Sequence, residues 1–341
     1  MALKRWDRVR LQNEQGQWVE AIAPVIISAS RASDIPAFHA EWFMNRLRRG
    51  YIRWHNPFHA NQSQYVAFDK VRVIVFWTKN PEPMLPYIEE LADRGLHFYF
   101  TYTLNDYTAE NFEPNVPALQ QRIEVFQRLS EKIGKARVIW RFDPLILTAQ
   151  LDVDILLARI QSIGDELHAY TEKLVISFAD IDVYPAVQNN LRRLGIAVYP
   201  FDEAAVRKIA QGLQKLNQQW KLTLAACGEV VDLSAYGIIP NRCIDDELMI
   251  RCFPEDEALM EFLGVAKFES MDLFATGWPG NRPNLKDPGQ RRACGCIMSK
   301  DIGQYDTCPH FCVYCYANHS ADRVRHNLRR LHTWDDGLLW T

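Results

Sequence analysis

Three cysteines near the end of the sequence have a spacing that suits metal chemistry. Cys308, Cys312 and Cys315 stand in a C-x3-C-x2-C array within the stretch "TCPHFCVYCYANHS". Three thiolates from one short loop can bind three irons of a [4Fe–4S] cluster and leave the fourth iron free to chelate a ligand. Electron carriers occupy every iron with cysteine, so this array predicts a cluster with a chemical role.

A structural zinc site is the alternative interpretation of the same array. Zinc in structural sites takes four ligands, and His310 or His319 could add the fourth to the three cysteines. The protein would then be a non-enzymatic zinc- or iron–sulfur-binding protein.

Four of the five remaining cysteines could form a second metal site. Cys294 and Cys296 make a C-x-C pair upstream of the array, Cys227 ends the last strand predicted for the core, and Cys243 follows it. Four thiolates could hold zinc or an auxiliary iron–sulfur cluster and pin this part of the chain to the core. A lone cysteine such as Cys252 is more often a small buried apolar residue, and Cys227 or Cys243 could be the same.

The composition is that of a folded protein with no strong global charge. Of 341 residues, 48% are hydrophobic and 24% charged, and the net charge is −3. No stretch reaches the roughly 20 apolar residues needed to cross a bilayer, and no signal peptide is recognisable. We therefore expect a cytoplasmic protein with no membrane partner, in which reduced cysteines are free to bind metal. Residues 291–332 carry seven Lys and Arg against three Asp, which keeps a nucleic-acid partner open.

Strand-like and helix-like segments alternate along the chain. Apolar strands are predicted over residues 25–30, 71–77, 97–104, 136–142, 173–179 and 221–227, with a short extra strand over 196–200. Asp34 and Gly50 have the residue types that begin and end the first intervening helix. Fully apolar strands separated by amphipathic helices indicate a parallel sheet. The expected fold is a TIM-like (β/α) barrel, partial or complete, of about six βα units.

Three regions follow from this pattern. Residues 1–24 are predicted to form an N-terminal strand or hairpin extension, residues 25–230 the barrel core, and residues 231–341 a cysteine-rich, cluster-binding segment. Residues 53–62, "RWHNPFHANQ" with His55, are predicted to be irregular and suited to a lid.

Polar residues follow the predicted strands directly. In parallel α/β folds, chemistry collects at the carboxyl ends of the strands. The candidates expected to contact cofactor or substrate are Ser30, Arg31 and Asp34 after the first strand, Thr78, Lys79 and Asn80 after the second, and Arg141 and Asp143 after the fourth. Strand ends also need turn-forming polar residues, so each position alone could be structural.

The array resembles the cluster loop of radical S-adenosylmethionine enzymes, with Tyr314 immediately before its third cysteine. The motifs "ISASRASDIPAF", "VFWTKNP", "VIWRFDP", "CGCIMSKDIG" and "DIGQYDTCPHFCVYCYAN" are similar to the family called domain of unknown function 1848, from residue 25 to about residue 318. The resemblance implies a [4Fe–4S] cluster that binds S-adenosylmethionine and cleaves it reductively. The product would be a 5′-deoxyadenosyl radical, acting on an unknown substrate.

The resemblance has further implications. It implies an electron donor such as ferredoxin or flavodoxin, and a packing role for Tyr314 against the cluster or the adenine. An activity resembling spore photoproduct lyase, in nucleic-acid repair or modification, is the alternative within this class. The array follows the last predicted strand instead of the first, and "WTKNP" stands where a Gly-Gly-Glu contact is usual. Because ring closure makes the last and first strands neighbours, we expect the array to lie over the "SASRASD" end of the first strand.

Overall fold

The computed structural model describes residues 6–57, 59, 62–265 and 284–339. Within these ranges the chain forms a large parallel sheet, a smaller sheet and flanking helices. The strands are β1 (Asp7–Gln12), β2 (Trp18–Ala23), β3 (Ile26–Ala29), β4 (Tyr51–His55), β5 (Ser63–Ala67), β6 (Val73–Thr78), β7 (His97–Thr103), β8 (Val138–Leu145), β9 (Lys173–Phe178), β10 (Thr223–Ala226), β11 (Ile238–Pro240) and β12 (Lys300–Asp301). The helices are α1 (Ile35–Phe38), α2 (Ala40–Arg49), α3 (Ile88–Asp93), α4 (Leu119–Ile133), α5 (Val153–Leu167), α6 (Pro185–Arg193), α7 (Glu203–Trp220), α8 (Asp246–Cys252), α9 (Glu257–Leu263) and α10 (Ala321–Arg330).

The large sheet has eight strands in the order β11-β10-β9-β8-β7-β6-β3-β12, and each neighbouring pair is parallel. The six predicted core strands are β3 and β6 to β10, and they lie side by side in chain order. A mixed α/β fold built on a large parallel sheet is thus confirmed. In the described ranges no hydrogen bonding joins the edge strands β11 and β12, so ring closure is not seen.

The strands are apolar throughout because both faces of the sheet are buried. Alternate residues of a strand point to opposite faces. The face packed against the helices presents Ile27, Ile74, Phe98, Trp140 and Leu174. The other, inner face presents Ile26, Val75, Tyr99, Ile139 and Val175, which pack against side chains of α8 and α9.

The inner face becomes polar towards the carboxyl ends of the strands. In each strand, the residue two positions after the apolar inner-face residue also points to the inner face. These residues are Ser28, Trp77, Thr101, Arg141 and Ser177. Cys227 follows Ala225 on this face directly after β10. The sheet therefore carries an apolar half and a polar half on one surface, and the polar half is where ligands can bind.

The first predicted helix is two helices. Asp34 begins α1 by accepting a hydrogen bond from Ala37 N at 3.0 Å, and Gly50 ends α2 with a φ of 85°. The helix is interrupted at His39, whose buried ring donates from Nε2 to Thr307 O at 2.9 Å. The interruption thus lets the His39 side chain contact the residue just before the cysteine array.

One prediction of local structure was wrong in part and another was wrong. Residues 53–55, predicted to be irregular, belong to β4, which pairs with β5 as an antiparallel hairpin; this hairpin joins that of β1 and β2 in a four-stranded sheet. Residues 56–62 connect β4 to β5, and because residues 58, 60 and 61 lie outside the described residues, the lid stays a prediction. Residues 196–200 form no strand: Tyr199 makes one isolated bridge, to Leu147, and is half exposed.

The sequence pattern does not predict β12. Its two residues are both charged, so it lacks the apolar run by which the other strands were recognised. β12 pairs with β3 in the register Lys300↔Ile27 and Asp301↔Ser28. The chain that carries the array therefore reaches the first strand through β12, instead of through closure of the ring.

Candidate functional site

Asp301 fastens the chain before the array to the end of β3. Its Oδ2 accepts from Ser28 Oγ and from Arg31 N, both at 2.8 Å, and its Oδ1 accepts from Gly303 N at 3.0 Å. One carboxylate thus joins β12, β3 and the turn that follows each strand. Strands β3 and β12 are held in register up to the point where the cysteine segment begins.

Gly303 allows the chain to pass close to Ser30. A Cβ at position 303 would lie 1.7 Å from Ser30 Oγ, which no side chain could tolerate. Ser30 Oγ itself accepts from Ala32 N at 2.9 Å and from Ser33 N at 3.2 Å. The hydroxyl predicted to bind cofactor therefore shapes the turn after β3.

The array lies over the residues that follow β3. His310 Nε2 donates to Asp34 Oδ2 at 2.8 Å, and the Tyr316 hydroxyl donates to Arg31 O at 2.8 Å. Asp34 Oδ2 also accepts from Lys79 N at 2.7 Å. These contacts place the array over the "SASRASD" end, the position expected from the sequence, although β12 brings it there.

The two histidines considered as zinc ligands have other partners. His310 uses Nε2 for Asp34, and its Nδ1 lies 3.3 Å from Asn115 O. His319 Nδ1 lies 2.9 Å from Asp306 Oδ2. Both ring nitrogens of His310 are therefore engaged, which removes the simplest fourth ligand for a zinc ion on the array.

The three thiols of the array are largely enclosed by protein. Cys312 is buried, and Cys308 and Cys315 are half-buried. Burial, reinforced by the charge of Asp34, raises the pKa of the Cys308 thiol to about 12, and burial also raises the pKa values of the Cys312 and Cys315 thiols. Such thiols stay protonated at neutral pH until a cation displaces the proton.

The donor set around the array fits a bound group. As the side chains stand, no cluster of three or more His, Cys, Asp or Glu in the described ranges is arranged to hold a metal ion. One buried polar atom beside the array, Asn318 Oδ1, nevertheless has no hydrogen-bond partner, while Asn318 Nδ2 donates to Cys308 O at 2.7 Å. Buried polar atoms are nearly always satisfied, so Asn318 Oδ1 is an acceptor that a bound group could use.

A cleft of about 70 Å³ opens beside Cys312, between Asn318 and the end of α6. Small-molecule sites usually enclose roughly 300–1,000 Å³. The cleft admits a small group at the array. S-adenosylmethionine would need a wider opening.

Lys79 lies at the centre of a buried polar network. Its Nζ donates to Glu113 Oε1 at 2.7 Å and to the Tyr314 hydroxyl at 3.0 Å. Asn105 Nδ2 donates to Glu113 Oε1 at 3.1 Å, and the Tyr314 hydroxyl donates to the same oxygen. The residue next to the third cysteine is thus joined to the residue that follows β6.

Charge compensation keeps this network ionised. Burial opposes the charged form of Lys79, but the Glu113 carboxylate outweighs it and raises the pKa of the lysine. Burial alone would raise the pKa of Glu113, but Lys79 and Arg122 hold it below its ordinary value. The lysine charge in turn favours the thiolate form of Cys312.

A second group lies further along the inner face. Arg141 Nη1 donates to Cys243 Sγ at 2.8 Å, and its other terminal nitrogen pairs with Asp143, which also accepts from the Ser177 hydroxyl. Burial opposes charge on Asp143, but Arg141 holds its pKa below the ordinary value. Arg141 and Asp143, both predicted as site residues, therefore form an ion pair, and Arg141 contacts the second set of cysteines through Cys243.

Two predicted residues serve the local turn after β6. Thr78 Oγ1 accepts from Asn80 N at 2.9 Å, and Asn80 Oδ1 accepts from Glu82 N at 3.2 Å. The Tyr314 ring packs edge-on against Tyr107 at 6.3 Å between centroids. Its packing partner is thus the protein, while its hydroxyl belongs to the Lys79 network.

Cys227, Cys243, Cys294 and Cys296 come together at the inner face. The sulfur atoms of Cys227 and Cys243 lie 3.4 Å apart, and Cys243 N donates to Cys296 Sγ at 3.3 Å. The hydrogen bond from the Cys243 thiol, with Arg141 nearby, lowers the pKa of the Cys227 thiol to about 6. The structure thus unites the second set of cysteines in one cluster.

Two residues that matter for the site have no recognisable sequence pattern. Glu113 lies in an irregular loop and Asp301 in a two-residue strand, so neither has a pattern to mark it. A buried lysine does need a carboxylate partner, and that requirement was the available signal for Glu113. Only the fold shows which carboxylate it is.

Two arginines of the basic region near the array pair with carboxylates. Arg323 Nε lies 3.2 Å from Asp306 Oδ2, and Arg325 Nη1 lies 3.1 Å from Asp322 Oδ1. Both carboxylates are already included in the charge count for residues 291–332, so a nucleic-acid partner stays a prediction.

The fold and the site together define a mixed α/β protein whose large parallel sheet carries two groups of cysteines at its carboxyl edge. The chain belongs to the family described as domain of unknown function (DUF1848), whose sequence profile matches residues 26–317. This confirms the resemblance to that family. No curated protein and no solved structure matches the chain. In the described ranges, no helix is long and apolar enough to span a membrane.

Proposed function

We propose that the protein is a radical S-adenosylmethionine enzyme in which Cys308, Cys312 and Cys315 hold a [4Fe–4S] cluster. When bound, the cluster supplies an electron for reductive cleavage of S-adenosylmethionine to a 5′-deoxyadenosyl radical, which acts on an unidentified substrate. The observation that carries the proposal is the position of one three-cysteine loop over the carboxyl end of β3. In parallel α/β proteins, chemistry collects at this edge of the sheet.

The proposal includes the shape of the sheet. Strands β3 and β6 to β10 would form the wall of a partial TIM-like barrel of six βα units. Their parallel order and the division of the inner face into apolar and polar halves support this architecture. A cytoplasmic location and an electron donor such as ferredoxin or flavodoxin belong to the same proposal.

Each nearby side chain then has a defined task. Asp34 positions the loop through His310, and Lys79 supplies positive charge beside Cys312. Glu113 holds the lysine, and the unpartnered Asn318 Oδ1 is available to a polar group of S-adenosylmethionine. Arg141 and Asp143 would orient a ribose or a polar group of the substrate.

The proposal is tested by anaerobic purification and reconstitution with iron and sulfide. We expect brown protein with about four irons per array and release of 5′-deoxyadenosine after reduction. Replacing Cys308, Cys312 and Cys315 together with Ala should abolish both, whereas the matched control Cys252→Ala should retain both. Zinc bound to the three array cysteines in place of iron, or cleavage that survives their replacement, would overturn the proposal.

A further inference from the structure

Four cysteines from three separate parts of the chain meet at the inner face of the large sheet. Cys227 follows β10, Cys243 follows β11, and Cys294 and Cys296 lie in the segment before β12. Cys243, Cys294 and Cys296 are buried, and Cys227 is half-buried. If each cysteine were buried only as a small apolar side chain, there would be no reason for all four to lie in the same place.

The four cysteines lie close together. The sulfur atoms of Cys227 and Cys243 are 3.4 Å apart, Cys243 N donates to Cys296 Sγ at 3.3 Å, and Cys294 packs in the same buried cluster. Gly295 allows this approach, because a Cβ there would lie 3.0 Å from Arg242 Cγ. The segment 294–296 therefore packs directly against the segment 241–244.

We propose that Cys227, Cys243, Cys294 and Cys296 bind one zinc-like divalent cation as four thiolates. Zinc–sulfur bonds of about 2.3 Å in a tetrahedron place the sulfur atoms about 3.8 Å apart. The separation of 3.4 Å between the first two sulfur atoms is close to that value. A cubane cluster places each thiolate on a different iron and holds the thiolates further apart, so the spacing favours a single ion over a [4Fe–4S] cluster.

The side chains would shift slightly to surround the cation. In the described part of the chain, no group of side chains yet converges on one metal position. Binding a cation therefore requires the sulfur atoms to move towards a common centre, which rotation of the cysteine side chains between staggered rotamers would bring about.

Hydrogen-bond donors are already directed at the sulfur atoms. Cys243 Sγ accepts from Arg141 Nη1 at 2.8 Å and from Asn241 Nδ2 at 3.1 Å. Cys296 Sγ accepts from its neighbours' backbone, Cys243 N at 3.3 Å and Ile244 N at 3.5 Å. Donors of this kind orient and stabilise thiolate ligands of metals, whereas neutral apolar cysteines have no need of them.

Four thiolates around a divalent cation carry two net negative charges. Arg141 Nη1 donates to Cys243 Sγ, and Arg31 lies near enough to Cys243 and Cys296 for its positive charge to act on both thiols. Because Arg141 also pairs with Asp143 and the charge of Asp301 acts on Arg31, the two guanidinium groups offset the negative charge of the site in part. Such a closed site has no open position, so its role is to lock residues 284–297 and the end of β11 onto the sheet.

The proposal is tested by metal analysis of the full-length chain with Cys308, Cys312 and Cys315 replaced by Ala, which removes the first site. Expressed with added Zn²⁺, this protein should contain about one zinc per chain. Adding Cys227→Ser or Cys294→Ser should lower bound zinc at least fivefold, whereas adding Cys252→Ser should leave it unchanged. Because the array is absent, the result does not depend on the proposed enzymatic function.

A second measurement covers variants that fail to fold. Co²⁺ exchanged into the protein with all four cysteines present should give the absorption bands of tetrahedral cobalt thiolate. Loss of zinc without those bands, a disulfide between Cys227 and Cys243 found by mass spectrometry, or iron with acid-labile sulfide on these cysteines would each overturn the single-cation proposal.

Discussion

Lys79 and Glu113 form an ion pair that little water reaches, with side-chain exposures of 14% and 4%. Removing two charges from water costs several kcal/mol, which is offset only when the remaining hydrogen-bond positions are filled. Here Tyr314 and Asn105 fill them, and Arg122 lies 3.8 Å from the second carboxylate oxygen. The pair holds a fixed positive charge beside the cysteine array.

At the residue scale, we predict that Lys79→Met lowers the free energy of unfolding by about 3 kcal/mol, because it leaves a buried carboxylate without its main partner. Urea unfolding measures the change. Lys132→Met is the matched control, since its pair with Glu89 is exposed and should contribute little to stability. Equal losses in the two variants would contradict the structural role assigned to the buried pair.

At the element scale, β12 is the shortest strand of the large sheet, and it holds the cysteine array in position. It pairs with β3 through only two residues, yet the whole array follows it. Asp301 and the close passage of Gly303 beside Ser30 make up for its length.

We predict that Gly303→Ala destabilises the protein by about 2 kcal/mol, since overpacking at a tight contact costs roughly 1–3 kcal/mol. Hydrogen exchange should rise selectively in residues 302–320. Gly289→Ala is the control, because a Cβ there would meet only the Asp287 side chain, at 3.2 Å. Unchanged exchange in Gly303→Ala would show that β12 does not position the array.

At the scale of the whole molecule, three histidines join separate parts of the fold in their neutral form. Burial lowers the pKa values of His39, His55 and His97, and at His97 the opposing charge of Asp256 does not cancel the effect. The unfolded chain therefore takes up protons more readily than the folded one as the pH falls below about 6.5.

We predict that the histidine contribution to stability is fully present above pH 6.5 and is lost as the pH falls towards 5. Burial raises the pKa of Glu229 to about 7, so that carboxyl group contributes in the opposite direction over this range, and variants are needed to isolate the histidine contribution. Denaturant unfolding at pH 7.5 and 5.5 should show that His97→Gln makes acidification less destabilising than in the parent chain, whereas His326→Gln, at an exposed position of α10, leaves the pH dependence unchanged. An identical pH dependence in His97→Gln and the parent chain would contradict the prediction.

The sequence was most informative where local physics decides the structure. Strands buried on both faces must be continuously apolar, so β3 and β6 to β10 could be predicted from composition alone. Asp34 and Gly50 marked helix ends because a cap and a left-handed residue are local requirements. The spacing of Cys308, Cys312 and Cys315 is likewise a local property, and it indicates the kind of chemistry.

Tertiary structure alone decided the assembly of the sites. β12 has no apolar pattern, Glu113 lies in a loop, and the pairing of β5 with β2 joins residues that are distant in the chain. The four cysteines of the second group meet only because β10, β11 and the segment before β12 converge on one face. Contacts between distant residues are set by how the elements pack, and a sequence pattern, which records only near neighbours, does not contain that information.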